Sequence, residues 1–314
     1  MIRQILSVAF LTGFLAATLR MATPILIASL GEMVAERSGV MNLGIEGILI
    51  LGAFASFAVA YRTGSLWLGL AAGSLAGAFL GLTMAVLSVR YGANQIVAGL
   101  GIWVFCQGLA SFMNRRLFGV TATRPTVTSL EAVRLPLVGA LPVLGDTVFN
   151  QNVIVYLSLL AVPILALFFR ATSWGLQLDA VGENPRAADA AGVNVSLVRY
   201  LAVTAGGVMA GLAGAYLPIG LYGLYTDDLT TGLGWMAIAV VVFGRWRPGW
   251  ILGGALVFGA AEALQFRLQA LQFPLPYQFL LMVPFVVTLL VVILFVRGEQ
   301  GPAALTHPYR RSES

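Results

Sequence analysis

Long charge-free apolar runs constrain this chain more than any other feature. Ser65 to Val89, Leu201 to Tyr222 and Pro276 to Val296 contain no charged residue. A bilayer's hydrocarbon core of ~30 Å takes about 20 helical residues to cross, and each of these runs is long enough. Hydrophobic residues make up 59% of the chain and charged ones 10%, with a mean hydropathy of +0.90. That is outside the composition of a soluble domain. The fold class is therefore an all-α polytopic membrane protein.

Apolar spans fall at roughly 5–35, 43–61, 65–89, 94–113, 152–169, 200–222, 232–243, 249–266 and 276–296. Arg20 divides the first, which reads either as two short spans or as an interfacial helix leading into one. The stretch 232–243 is too short for an upright crossing, and Gly232 and Gly234 suggest an unwound or re-entrant start. Such backbone is tolerated at membrane depth only when buried in protein or lining a cavity. The expectation is a single transmembrane domain over 1–314 with about eight or nine transmembrane helices.

Alternating the spans places Arg90, Arg170, Arg186, Arg199, Arg245, Arg247, Arg297, Arg310 and Arg311 on one side. Under the positive-inside rule that side is cytoplasmic. It holds a loop at 171–199 and a tail at 298–314. The connection 114–151 then lies outside. It carries Arg115, Arg116, Arg124 and Arg134 against the rule, although long loops weigh little in it. A cleavable signal peptide is not expected, because Arg3 is the single early basic residue and no small-residue cleavage site follows.

One polar segment stands out on the arginine-rich side, Asp179 to Val193, DAVGENPRAADAAGV. Asn184 can cap a helix whose first residue is Pro185, where the missing N–H costs nothing. Gly192 can end it in the left-handed conformation. At ~1.5 Å per residue the stub is roughly 10 Å long, so it does not span. Ala187, Ala188, Ala190 and Ala191 give it a small apolar face, and Glu183, Arg186 and Asp189 lie around it. Such a helix is most simply a docking element for another protein; the plainer reading is an interhelical loop.

Intramembrane ionisable residues are costly and call for a reason. Glu46 follows Asn42 by four residues in GVMNLGIEG, a spacing that puts both on one helix face. Together they read either as a polar patch on a substrate path or as a structural hydrogen-bond pair. Asn94 and Gln95 open the fourth span; they either read the polar groups of a neutral solute or cap the helix. Glu262, with Arg267 close by, reads as structural or interfacial. Glycines 69, 73, 77 and 81 recur every fourth residue, a row that lets two helix backbones approach.

Several functions are excluded. Cys106 and His307 are the only residues of their kinds, so a disulfide framework, a thiolate or histidine metal site and a Ser/His/Asp triad are absent. Asp227 and Asp228 stand without a second acidic cluster. No GxxxxGK[ST] loop is present, so the chain does not bind ATP itself. The net charge of +5 is spread over loops and makes no nucleic-acid surface.

The segments GEMVAERSGVMNLGIEGILILGAF (Gly31 to Phe54), ANQIVAGL, GENPRAADAAGV, VVFGRWRPG (Val241 to Gly249) and EALQFRLQAL before PYQFLLMVP resemble one family, in order, from about residue 20 to 297. It is the permease subunit of bacterial ABC importers of the branched-chain amino acid and ribose permease superfamily, nucleoside and simple-sugar branch. The external loop matches least. The resemblance implies a multi-pass protein of the bacterial inner membrane. Its partners would be a homologous second permease, ABC ATPase domains that hold the ATP and magnesium, and an extracytoplasmic solute-binding lipoprotein. It also implies that Glu183 to Val193, including Asn184, Pro185, Arg186, Asp189 and Gly192, is the helix that couples to the ATPase. Purine nucleosides are the first expected cargo and simple sugars the second, along a path that includes Asn42, Glu46, Asn94 and Gln95. An ion-coupled secondary transporter is the rival class; it would typically show an internal repeat and broken helices with an ion site.

Overall fold

The computed structural model describes residues 8–119, 124–134, 147–271, 276–295 and 301–309. Arg297, Arg310 and Arg311, and much of the connection 114–151, lie outside them. Helix α1 (Val8–Arg37) runs unbroken past Arg20, which settles the first span as one helix. Then come α2 (Ile45–Thr63), α3 (Leu66–Ala85) and α4 (Gln95–Phe118). A short antiparallel pair, β1 (Val133–Arg134) and β2 (Asn150–Gln151), precedes α5 (Val153–Ala171). Two non-spanning helices, α6 (Ser173–Glu183) and α7 (Pro185–Ala190), lead into α8 (Val195–Tyr216). The chain closes with α9 (Leu233–Phe243), α10 (Pro248–Ala270), α11 (Tyr277–Leu281) and α12 (Val283–Phe295).

Among the described residues, seven helices are long and apolar enough to cross a membrane. The two remaining apolar stretches are present as shorter pieces. In one, turns over 227–232 replace the first half of a crossing, and α9 supplies the second. In the other, helix is interrupted at Met282, two residues before Pro284, whose nitrogen has no proton to give a continuing helix.

α8 is the axis of the bundle, and glycine puts it there. A Cβ on Gly77 of α3 would strike the Gly207 carbonyl, and one on Gly211 of α8 would strike that of Gly73. The two backbones touch, so the glycine row is a packing seam. Gly31 of α1 and Gly52 of α2 meet α8 in the same manner, against Gly206 and Gly211.

α1 runs toward α7, and its last residue, Arg37, pairs with Asp179 of α6. At the opposite end Asp227 accepts hydrogen bonds from Ser111 (2.8 Å) and Asn114 (3.3 Å) at the close of α4. The backbone there is tied to the connection after α4 by Val127 N–H donating to the Gly223 carbonyl.

Candidate functional site: a braced surface helix and a broken helix

At the α7 end, local chemistry makes the helix the sequence predicts. The Asn184 side chain accepts from Ala187 N–H at 3.0 Å, Pro185 takes the first position, and Gly192 turns the chain at φ +88°. Glu183, Asn184, Arg186, Ala187, Ala190, Ala191 and Gly192 are exposed, with Pro185 and Asp189 half-buried. Ala188 departs from the expected apolar face: it is 4% exposed and belongs to the core. A six-residue helix has one inner side, and here position 188 occupies it.

A frame braces α7 from behind. Arg37 grips Asp179 with two contacts, Nε to Oδ1 at 2.9 Å and Nη2 to Oδ2 at 3.0 Å, and lies over the Phe169 ring. Burial pushes the Asp179 carboxyl above its ordinary value, and Arg37 offsets this only in part. The segment 301–309 straps the arrangement: Ala304 N–H donates to the Gly182 carbonyl (2.8 Å) and Thr306 N–H to that of Gly39 (3.2 Å). Arg199, 1% exposed, donates to the carbonyls of Ser38 (3.0 Å) and His307 (3.2 Å). It thus ties the end of α1, α8 and the strap together. A surface cleft of about 280 Å³ lies between α7 and the strap, bordered by Arg186, Ala303 and His307. Sequence reading gave Arg199 only a side of the membrane and gave the strap no partner. Their contacts are with residues more than a hundred positions away, and no local pattern encodes them.

Deeper in the bundle lies an irregular loop, 38–44, between α1 and α2. Its donors are met by side chains from α1 and α4: Asn42 N–H by Glu32 Oε1 (2.7 Å) and Met41 N–H by Gln95 Oε1 (2.8 Å). Asn42 does not share a helix face with Glu46 as the spacing suggested, because α2 starts only at Ile45. Asn42 instead holds the turn, its Oδ1 accepting from Gly44 N–H. Asn94 is exposed and caps α4, taking Ile96 and Val97 N–H. Glu46, 5% exposed, reaches across to α9. Its two carboxylate oxygens accept from Gly232 N–H (3.1 Å) and Gly234 N–H (2.6 Å). It is the cap of a helix that begins inside the bundle, and α9 needs one because its first N–H groups have no partner within the helix.

The depth of that start follows from α4. Trp103 meets Trp235 of α9 edge-to-face, and Trp103 lies about 12 Å along the helix from Gln95 at ~1.5 Å per residue. α9 therefore begins well inside the membrane-crossing layer. Structure thus gathers Asn42, Glu46 and Gln95 around one buried loop and leaves Asn94 at its rim.

A many-span helical bundle with a braced, exposed helix at one end and a broken helix within is a polytopic membrane protein. Residues 14–294 match the branched-chain amino acid transport system / permease component family, and the chain belongs to it. It is 40% identical to a putative glucose ABC transporter permease of Haloferax volcanii, over 85% of this chain and 81% of the relative. It is 34% identical to a guanosine ABC transporter permease of Bacillus subtilis, over 96% and 98%. A nucleoside ABC transporter permease of Lactococcus lactis is 32% identical over 90% and 92%.

Proposed function

We propose that this chain is one half of the membrane path of an ATP-driven importer for purine nucleosides. The observation that carries the reading is α7: a capped helix too short to span, exposed on one side and braced on the other by Arg37, Arg199 and the 301–309 strap. A helix held in this way passes a push to the bundle rather than yielding to it. Its partner is an ABC ATPase, which binds and hydrolyses ATP with magnesium, so the α7 end is cytoplasmic and the membrane is the bacterial inner membrane. The exposed face of α4 supports a second, homologous permease as the other half. Val97, Val104 and Phe105 are exposed there, and Gly101 and Gly108 meet nothing within 4 Å. Small residues on an open face suit close helix approach.

The path runs past the buried loop with Asn42, Glu46 and Gln95, with Asn94 at its rim. An extracytoplasmic lipoprotein delivers the solute from the opposite end. Guanosine and nucleoside permeases matched over nearly their full length favour nucleosides. Simple sugars are the second reading, favoured by the higher identity to the glucose permease. The test is uptake by the assembled importer in proteoliposomes, together with solute binding to its lipoprotein. Vanadate-sensitive uptake of guanosine or adenosine is the expected result. Binding and uptake of an amino acid or an anion, with none of a nucleoside or sugar, refutes the reading.

A further inference from the structure

The unwound stretch before α9 forms one wall of an open cavity of about 380 Å³, bordered elsewhere by α1, the turn 217–222 that follows α8, α10, α11 and α12. That volume is in the range of small-molecule sites, roughly 300–1,000 Å³. Glu262 and Gln265 project from one face of α10, three residues apart, and Phe266 lies beside them. Gln265 is 8% exposed, and neither side chain hydrogen-bonds any described residue. A buried amide and a carboxylate left open to a cavity within a span are expensive unless something polar enters to meet them. Opposite them, Asp228 and Thr231 belong to the irregular backbone, which is tolerated at this depth where it lines such a space. Among the described lining residues none is arginine, lysine or histidine, while two are carboxylates.

We propose that this cavity is a transit site for the vicinal diol of a neutral solute, with Glu262 accepting both hydroxyls and Gln265 holding the adjoining ring oxygen or hydroxyl. The carboxylate is acceptor-only and presents two oxygens, which matches two adjacent hydroxyl donors. Met236, Leu221 and Phe266 supply an apolar wall for the base or the sugar face. The carboxylates of Glu262 and Asp228 repel phosphorylated and carboxylated relatives of the same solute. The diol is shared by the ribose of nucleosides and by pyranoses, so the site rests on the functional reading above and serves either cargo.

The site is tested in the assembled importer without its lipoprotein, so that solute meets the permease directly. Cys106, the single cysteine, is buried, and Cys106→Ala removes background reactivity. Thr231→Cys then places a thiol on the cavity wall, and its rate of modification by a charged methanethiosulfonate is measured. Guanosine or glucose at millimolar concentration is expected to slow modification at least threefold. Dideoxyguanosine, lacking the diol, is expected to leave it unchanged. Glu262→Gln and, independently, Gln265→Leu abolish the protection while the complex still elutes as one species. Protection that is absent, equal for the dideoxy compound, or unaltered in both variants overturns the site. Uptake separates the two claims: a complex that imports guanosine or glucose without protection at Thr231→Cys loses only the site. One that imports neither loses the functional reading and the site with it.

Discussion

Glu46→Gln isolates what the carboxylate does for α9. In the native protein the N–H groups of Gly232 and Gly234 meet different oxygens of the carboxylate, with Thr230 and the Trp235 backbone close by. Glutamine keeps one acceptor oxygen and turns an NH₂ toward the other donor. One buried N–H is therefore left without a partner, at a cost of about 1–3 kcal/mol. The surroundings offer no relief, because a Cβ on Gly234 would already strike the Glu46 backbone. Taking ~2 kcal/mol as the middle of that range, the start of α9 opens roughly 30-fold more often. Amide hydrogen exchange followed by mass spectrometry on peptides covering 230–236, in nanodisc-embedded complex, reads that change directly. Glu46→Ala leaves both donors unmet, roughly 2–6 kcal/mol, and is expected to exchange faster again. Exchange unchanged in both variants would refute the capping role, since no other acceptor for these two donors lies within the bundle's described bonds.

On α7, Ala187→Glu and Ala190→Glu alter the exposed side and are expected to uncouple ATP hydrolysis from uptake with assembly intact. Ala188→Glu buries a charge and should instead lower the yield of folded protein; the reverse pattern would contradict the assigned faces. Arg199→Met removes the bonds to Ser38 and His307, at about 1.5–3 kcal/mol for each bond from a charged donor. Faster limited proteolysis between 301 and 309 is the expected sign, and native resistance would argue against the strap. Gly207→Val forces a branched side chain against the Gly77 carbonyl and should destabilise by at least the ~1–3 kcal/mol of ordinary overpacking; a thermal-melting midpoint within a degree of wild type would count against the seam.

What was legible in the sequence was whatever is fixed within a few residues. Asn184, Pro185 and Gly192 each carry a local instruction, and α7 begins and ends where they say. The spans were legible because bilayer thickness sets a minimum length for any apolar helix. The half-length of 232–243 and its glycines pointed to an unwound start, and turns occupy 227–232. The glycine row on α3 announced a close contact; its partner, Gly207 and Gly211 of α8, is a matter of which helices meet.

The polar residues show where such reading stops. Asn42 and Glu46 have helical spacing, but spacing means nothing until the helix has started, and α2 starts three residues after Asn42. What delays it is loop 38–44, whose donors are met by Glu32 from the preceding helix and Gln95 from α4. Those partners make an irregular path affordable inside the bundle, and no periodicity in GVMNLGIEG reports them. Glu46 is the sharper case: its acceptors serve donors on a segment 186 residues further on. A carboxylate in an apolar run advertises only that some partner exists. Whether that partner is a passing solute or a permanent N–H is decided by what the fold brings across from it. For Glu46 it is the start of α9. For Glu262, in a similar apolar setting, Tyr222 lies near on the same cavity but no described residue donates a hydrogen bond to the carboxylate, and that difference is why the second carboxylate, rather than the first, is the one assigned to the solute's hydroxyls.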